Sequence, residues 1–227
     1  MENNLIIISL GGSLIVPDQI NTRFLKNFRE LILKHIKKGK QFIIIAGGGR
    51  TARRYQKAAR TITRLTASDI DWIGIHSTRL NAHLLRTIFR INAFPRIIKN
   101  PDEKLKFKQP VLIASGWKPG CSTDYDAVLL AKNFGAKTLI NLTDINYVYD
   151  KDPRKFKDAK PIKEISWKEF RKIIPKKWNP GLSAPFDPVA SKEAEKLTLK
   201  VIIAKGADLK NLDSVLYGKR FKGTIIS

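Results

Sequence analysis

The sequence predicts an α/β fold in which an open, mostly parallel sheet is sandwiched between two layers of helices. Three observations lead to this prediction. Short, continuously apolar runs such as "LIIISL" and "FIIIA" alternate with longer amphipathic stretches along the chain. The runs do not alternate polar with apolar residues, which is typical of strands covered on both faces. Several of them run directly into glycine, where a chain can turn from a strand into a helix.

In the N-terminal half, the runs 4–10 and 41–49 predict buried strands that enter glycine-rich turns. Between them, residues 21–40 carry apolar side chains at helical spacing, with Asn21 as a cap and Gly39 as a stop. The remaining elements predicted here are helices over 50–62 and 71–92 and strands over 95–99 and 109–116.

The C-terminal half continues the alternation. A loop leads from Trp117 into a helix that ends at Gly135. The region around 150–180 is basic and irregular and marks a change of subdomain. Further predicted elements are strands over 137–143, 201–206 and 223–227, helices over 167–174, 188–200 and 207–218, and irregular chain over 144–166 and 175–187. The chain is thus predicted to be one domain, 1–227, with an N-terminal lobe (about 1–135) and a C-terminal lobe (about 136–227) sharing one sheet.

Composition and the length of the apolar runs indicate a globular protein. Hydrophobic residues make up 43% of the chain and charged residues 28%, which argues against disorder. The apolar runs are far shorter than the roughly 20 residues of a membrane span, and no basic segment precedes the first of them. A single cysteine, Cys121, excludes an intrachain disulfide. We therefore expect a reduced, cytoplasmic setting and no membrane partner.

The charge balance is strongly basic, with 43 Lys and Arg against 20 Asp and Glu and a formal net charge of +23 at pH 7. Such a field attracts polyanions, whether nucleic acid, nucleotides or a membrane surface. A basic proteome, or a high-salt or acidic habitat, accounts for the same charge equally well. Net charge therefore does not identify the partner.

Four predicted strands end in glycine or small polar residues, at 11–13, 47–49, 115–123 and 143–144. In open α/β sheets the ligand sits in the crevice at those ends, where glycines let backbone N–H groups approach phosphate oxygens. One Gly-Gly pair also serves simply to turn a chain, but four equivalent ends favour a phosphate site. The sequences G-x-G-x-x-G and G-x-x-x-x-G-K-[ST] are both absent, which argues against a Rossmann dehydrogenase and a P-loop kinase.

Three arginines follow the second glycine turn, in "GGGRTARR". Arg50, Arg53 and Arg54 cannot all face one ligand, and Arg53, four residues past Gly49, is best placed to reach back. Cations at a helix N-terminus oppose the helix dipole, so an anion bound there would relieve them.

The segment "KPGCSTDYDAV" combines a Pro-Gly turn with two hydroxyls and two carboxylates. Ser122, Thr123 or Asp124 is expected to be the N-cap of the following helix. Asp124 and Asp126 beside a phosphate site also suit Mg²⁺, or the orientation of phosphate-binding lysines. Trp117 either stacks on a base or packs against the protein.

The histidines and the cysteine are not expected to take part in the chemistry. His35, His76 and His83 have no metal-ligand spacing, and Cys121 has no neighbouring histidine base. We interpret the histidines as surface or packing residues, do not expect Cys121 to be a nucleophile, and assign no metal ligand.

Together, the motifs resemble the amino-acid kinase superfamily, and most closely its archaeal-type uridylate (UMP) kinases, over nearly the whole chain. They are, in order, "GGS", "GGGRTAR", "DWIGIHSTRLNAHLL", "STD", "AVLLA", "LTDINYVYDKDP", "FDPVASKEAEK" and "GT". The resemblance implies transfer of the γ-phosphoryl group of ATP to UMP with Mg²⁺, in pyrimidine nucleotide biosynthesis. It also implies an N-terminal acceptor lobe, a C-terminal ATP lobe, and a homo-oligomer, usually a hexamer built from dimers.

The same resemblance implies roles for individual residues. On the UMP side are Gly48, Asp71 at the ribose, and the loop Trp117, Lys118, Pro119, Gly120, Cys121, Ser122 and Thr123. On the ATP side are Gly12, Ser13, Gly49, Arg53, Thr143, Asp144, Tyr149 and Asp152. The catalytic residues are Asp124, which organises the catalytic groups, Arg53 on the transferring phosphate, and Asp187.

This chain departs from the family pattern at three positions. Ser9 stands where many members carry a phosphate-binding lysine, and Lys118 changes the charge of the UMP loop. Tyr147 replaces a glycine of the "DGVY" element, which we expect to reshape the adenosine pocket. Two alternatives to a UMP kinase are therefore a sister kinase for another small phosphate or carboxylate, and a catalytically weak nucleotide- or nucleic-acid-binding protein.

Overall fold

The computed structural model describes residues 4–153, 155–176 and 184–227. Its strands are β1 (Leu5–Leu10), β2 (Gln41–Ala46), β3 (Val111–Ala114), β4 (Thr138–Thr143), β5 (Val148–Tyr149), β6 (Pro161–Ile162), β7 (Glu164–Ile165), β8 (Lys200–Lys205) and β9 (Thr224–Ile226). Its α-helices are α1 (Gly12–Ile15), α2 (Thr22–Ile36), α3 (Gly49–Ile62), α4 (Ala67–Phe89), α5 (Thr123–Phe134), α6 (Trp167–Ile173), α7 (Pro188–Lys196) and α8 (Leu209–Leu216).

Seven of the described strands form one sheet in the order β3-β2-β1-β4-β8-β9-β7. The first five are parallel, β9 is antiparallel to β8, and β7 is parallel to β9. Strands β5 and β6 form a separate antiparallel pair. The predicted mostly parallel sheet is confirmed. Both parts of the chain contribute to this one sheet, because β1 to β3 come from residues 1–135 and its other strands from residues 136–227.

Helices cover both faces of this sheet, as the continuously apolar strands predict. Along β1, Ile8 and Leu10 point into a cluster with α2, α4 and α8 that contains the fully buried Phe28. Ile7 points to the opposite face, into a cluster with α5, α6 and α7 that contains the fully buried Phe170. The core therefore has two halves, one on each side of the sheet.

Local capping chemistry sets the helix ends. The Asn21 side chain caps α2 by accepting from the Phe24 N–H, and α5 ends at Gly135 in a left-handed conformation, both as predicted. Helix α4 begins at residue 67 rather than at the predicted 71. There, Thr66 and Asp69 form a reciprocal capping box, a start signal that the sequence carried and our prediction missed.

The strand predicted over 95–99 is wrong, and the helix predicted over 188–200 is too long. Residues 95–99 form no strand: Pro95 lacks an N–H group, and Ile98 makes only an isolated bridge to β3. The helix predicted over 188–200 ends at Lys196, because Thr198 adopts a φ of 48°.

The segment 144–166, predicted to be irregular, contains the short strands β5, β6 and β7. The predicted loop 175–187 lies partly outside the described residues, which resume at 184. Among the helices described, none has the length and apolarity that crossing a bilayer requires.

Candidate active site

The four small-residue turns meet along one edge of the sheet. Strands β3, β2, β1 and β4 are neighbours and run parallel, so their carboxyl ends point the same way. Residues from all four turns line a cleft of about 530 Å³. The crevice predicted from the strand ends is therefore present, at the position where open α/β sheets bind ligands.

The first two glycine turns pack directly against each other. A Cβ atom on Gly12 would lie 2.0 Å from the Gly49 nitrogen, and one on Gly47 would lie 2.4 Å from the Gly12 nitrogen. Behind them, the buried Asn81 of α4 donates from Nδ2 to the carbonyl oxygens of Gly47 (2.8 Å) and Gly48 (3.2 Å). Because these glycines have no side chains, the two turns contact each other through their backbones. Asn81 of α4 holds the turn at Gly47 and Gly48, which faces the cleft.

The three arginines after the second turn separate as the spacing predicts. Arg53 lines the cleft. Arg50 and Arg54 instead approach Asp18, at 3.6 and 2.6 Å. Arg53 is therefore the member of the trio available to a ligand in the cleft.

The start of α5 forms another wall of the cleft. Ser122 is the N-cap, since its Oγ accepts from the Tyr125 N–H at 3.1 Å, and this decides among the three predicted caps. Cys121, Ser122, Thr123 and Asp124 all line the cleft. Burial raises the pKa of the Cys121 thiol to about 11, which disfavours the thiolate form.

Four residues expected on the UMP side do not line this cleft: Trp117, Lys118, Pro119 and Gly120. Two hydrogen bonds hold their backbone beside the cleft. The Gly120 N–H donates to Asp71 Oδ2 (2.8 Å), and the Trp117 N–H donates to Asp126 Oδ2 (3.0 Å). The Lys118 ammonium lies 3.8 Å from the centre of the Trp117 ring and covers it. Asp71 itself lines the cleft and connects this loop to it.

A pair of carboxylates lies at the bottom of the site. Asp124 accepts from Ser9 Oγ through Oδ1 and from the Asp187 N–H through Oδ2, both at 3.3 Å. Asp187 caps α7 by accepting from the N–H groups of Val189 and Ala190. Burial and the neighbouring Asp187 carboxylate raise the pKa of Asp124 to about 7. Burial also raises the pKa of Asp187.

The carboxylate pair fits a hard divalent cation. In the described part of the chain, no three His, Cys, Asp or Glu side chains are grouped to hold a metal ion. Mg²⁺, however, is usually held by one or two carboxylates together with substrate phosphates. Asp124 and Asp187 supply such a pair, and a cation between them would offset the repulsion that raises the pKa of Asp124.

Asp126, a second carboxylate of α5, lies behind the part of the cleft wall that the start of α5 forms. Its side chain is fully buried, and Oδ1 has no hydrogen-bond partner among the described residues. Burial raises the pKa of Asp126 to about 7. Asp126 therefore supports the Trp117 loop from within and does not line the cleft.

A second cavity of about 280 Å³ adjoins the cleft and shares Thr143 and Asp144 with it. Tyr149 and Asp152, both expected on the ATP side, line this cavity. Tyr147 is not among the described residues that line it. The Val148 N–H donates to Thr224 Oγ1 of β9 at 2.8 Å. This bond holds Tyr147 beside residues 218–223, which precede β9.

Of the three histidines, His35 is buried, whereas His76 and His83 are exposed. His35 is fully buried, with Nε2 2.7 Å from Asp213, and its burial lowers its pKa. His76 lies beside the Trp72 ring. None of the three histidines is among the described residues that line the cleft.

Sequence reasoning passed over three polar residues that shape the site. Besides Asn81, Thr78 accepts from the Gly116 N–H at 2.8 Å, and Asn141 donates to the Pro185 carbonyl at 3.2 Å. All three are buried. The sequence contains a signal for these residues, because each is a polar residue at a position where the α4 or β4 pattern predicts an apolar one.

Comparison with known proteins agrees with this geometry. Residues 4–205 match the model of the amino acid kinase family. Uridylate kinases of Hyperthermus butylicus (31% identical; all of both chains covered) and Thermoplasma volcanium (34% identical; 96% of this chain and 95% of the relative) are similar over their full length.

Solved structures show the same similarity. Uridylate kinase from Archaeoglobus fulgidus matches with a TM-score of 0.80 at 28% identity, over 98% of this chain and 99% of that one. UMP kinase from Bacillus anthracis shares the fold, with a TM-score of 0.78 at 18% identity over 99% and 96%. With a full-length match in sequence and in fold, this chain belongs to the amino acid kinase family.

Proposed function

We propose that this protein transfers the γ-phosphoryl group of ATP to UMP and forms UDP, a step of pyrimidine nucleotide biosynthesis. One observation carries the proposal: the cleft at the strand ends and the second cavity share Thr143 and Asp144, so two nucleotides can meet end to end. The full-length similarity to uridylate kinases supports UMP as the acceptor.

The proposed roles follow the lining of the two cavities. Gly48, Asp71, Cys121, Ser122 and Thr123 bind UMP in the cleft, and Trp117, Lys118, Pro119 and Gly120 act as the outer part of that loop. Gly12, Ser13, Gly49 and Arg53 bind the ATP phosphates, while Thr143, Asp144, Tyr149 and Asp152 bind adenosine.

Phosphoryl transfer needs two anions held in line and their charge neutralised, more than it needs a covalent group from the protein. The turns offer backbone N–H groups, and α3 begins at Gly49 with its N-terminus toward the cleft edge. Arg53 binds the transferring phosphate, and Asp124 with Asp187 would hold Mg²⁺. When bound, that ion supplies positive charge between the phosphates.

Ser9 acts differently from the lysine that many family members carry at its position. Its hydroxyl donates to Asp124 Oδ1 and orients that carboxylate, but it brings no positive charge. Arg53 and Mg²⁺ are therefore the cations of this site that we propose to act on the transferring group.

A coupled assay across nucleoside monophosphates tests the proposal. With ATP and Mg²⁺, we expect UMP to be the preferred acceptor and UDP the product. Preference for a non-nucleotide phosphate or a carboxylate would favour the sister-kinase alternative. Absence of turnover with every acceptor would overturn the proposal.

The remaining proposals concern organisation. An acceptor lobe (about 1–135) and an ATP lobe (about 136–227) are supported by the placement of the two cavities. A cytoplasmic setting and a homo-oligomer, with a hexamer as the first candidate, remain what the family resemblance implies. Exposed apolar side chains on α3 and α4, such as Ile62 and Leu80, support self-association. Light scattering of the purified chain tests the oligomer, and a mass of one chain would refute it.

A further inference from the structure

A groove of about 760 Å³ lies away from the proposed active site. We call it the Tyr147 groove. Tyr147 and Lys163 line it together with the loop 218–223, between α8 and β9. None of its described lining residues lines the cleft or the second cavity. It is therefore a separate surface, and nothing in the proposed kinase chemistry uses it.

The backbone fixes the shape of the groove. Asn211 makes two hydrogen bonds with the Lys222 backbone, donating to its carbonyl oxygen (2.6 Å) and accepting from its N–H (2.8 Å). Gly223 is buried, and a Cβ there would lie 2.7 Å from the Ile203 carbonyl oxygen. On the opposite side, the Ile225 N–H donates to the Lys163 carbonyl oxygen at 2.8 Å. The two walls are thus joined through β9.

The groove concentrates positive charge that no carboxylate of the described residues pairs with. Four of its lining residues are cations, namely Lys163, Lys219, Arg220 and Lys222, and all four side chains belong to exposed residues. Within residues 4–153, 155–176 and 184–227, none of them forms an ion pair. The one carboxylate in the lining is Glu164. A bound polyanion would satisfy this excess.

Two aromatic rings lie among these cations. Tyr147 and Phe221 both line the groove and are half-buried. Exposed cations beside rings are typical of surfaces that bind single-stranded nucleic acid, where cations contact phosphates and rings stack on bases. A small-molecule site needs buried polar groups that converge on the ligand, and the described lining has only exposed charges.

We propose that the Tyr147 groove binds single-stranded nucleic acid without sequence preference, with Lys219, Arg220 and Lys222 on the phosphates and Tyr147 and Phe221 against the bases. The groove accounts for part of the +23 net charge of the chain. It also gives Tyr147, a residue foreign to the family motif, a role outside the nucleotide pocket. The proposal does not depend on the kinase activity.

Fluorescence anisotropy with a labelled oligoadenylate of about 12 nucleotides tests the proposal on the full-length chain. The test variant is Lys219→Ala/Arg220→Ala/Lys222→Ala. The matched control is Lys26→Ala/Lys57→Ala/Lys108→Ala, which removes the same charge from exposed positions outside the groove. At salt concentrations between about 50 and 200 mM, the groove variant should bind at least about tenfold more weakly than the parent chain. The slope of its log affinity against log salt concentration should be smaller in magnitude by about 2. The control should stay within about twofold of the parent chain.

A second pair of variants tests the stacking. Tyr147→Phe should keep most of the affinity, and Tyr147→Ala should lose several-fold. Equal losses in the two triple variants would show diffuse attraction and overturn the proposal, as would absence of binding. Competition by UMP with ATP would place the strand in the cleft and also overturn it. Tighter binding of inorganic polyphosphate than of the oligonucleotide would reject nucleic acid as the ligand. UMP kinase turnover of the groove variant should be unchanged, which separates this test from that of the kinase proposal.

Discussion

The cleft and the Tyr147 groove both suit anionic ligands, yet their walls carry opposite charges. Among the described residues that line the cleft, Arg53 is the one cation, against Asp71, Asp124, Asp144 and Asp187. The described lining of the groove has four cations and one carboxylate. The location of the basic residues therefore does not reveal where the proposed phosphoryl transfer takes place.

The difference follows from what each surface has to do. In the cleft, phosphates would be held by backbone N–H groups whose positions the packed glycine turns fix, and a metal ion would supply the missing charge. Fixed dipoles position a reacting group without reorganising, which suits catalysis. In the groove, flexible cations can follow a polymer of any sequence. One site is preorganised, and the other is adaptable.

The largest predicted effect concerns Asp124, one of the carboxylates that line the cleft. We expect Asp124→Asn to lower UMP kinase turnover by at least about a hundredfold, because the amide loses the charge that organises the proposed metal and phosphates. Binding of the oligonucleotide should not change. Turnover is measured by the coupled assay at saturating substrates.

Asp102→Asn is the control for that variant, since Asp102 is exposed and does not line the cleft. It should keep the parent turnover. If Asp124→Asn were also as active as the parent chain, Asp124 would have no role in catalysis.

The next effect concerns Arg53, the one cation among the described residues that line the cleft. Arg53→Ala should lower turnover by about ten- to a hundredfold, because no other described cation lines the cleft to replace it. Arg54→Ala is a matched control on the same helix, since Arg54 pairs with Asp18 instead. It should change turnover by less than about twofold. Equal losses in the two variants would contradict the assignment.

Much of the fold was predictable because the apolar runs and the caps are local. The run 4–10, the Asn21 cap and the Gly135 stop each depend on a few neighbouring residues, and all were predicted correctly. The strand expected over 95–99 failed because only Ile98 reaches β3. That pairing depends on how the chain crosses from α4, which the segment itself does not encode.

The site was predictable where it follows from the strand ends, and not where distant contacts position a loop. The four turns had to meet, because parallel neighbouring strands share an edge. Trp117 and Gly120 lie outside the cleft because Asp126 and Asp71 hold their backbone. Tyr147 faces the groove because Val148 is bonded to β9. These bonds join residues far apart in sequence, which no motif specifies.

The buried acid behind the cleft predicts a pH effect on stability. Asp126 has a pKa near 7 when folded, well above its usual range, so the folded chain holds a proton that the unfolded chain releases. The free energy of unfolding should therefore fall as pH rises from about 4 to 7, with up to about 1.4 kcal/mol per pH unit from this group. Asp126→Asn should flatten that slope, measured by urea unfolding of the ligand-free chain.

Asp102→Asn again serves as the control and should keep the parent slope. Asp124 contributes in the same direction, so some slope should persist in Asp126→Asn. An unchanged slope in Asp126→Asn would mean that Asp126 titrates in its ordinary range.

The smallest predicted effect concerns Ser9, whose hydroxyl contacts the Asp124 carboxylate. Ser9→Ala removes the hydroxyl that donates to Asp124 Oδ1, so turnover at neutral pH should fall by about two- to tenfold. That hydrogen bond lowers the pKa of Asp124, and its loss should move the acid limb of the kcat profile to higher pH. Ser115→Ala, a buried serine at the end of β3 that does not touch Asp124, should leave the profile in place. A Ser9→Ala enzyme with the parent profile would show that Asp124 acts without this hydroxyl, and that the proposed cations, Arg53 and Mg²⁺, suffice to set its charge state.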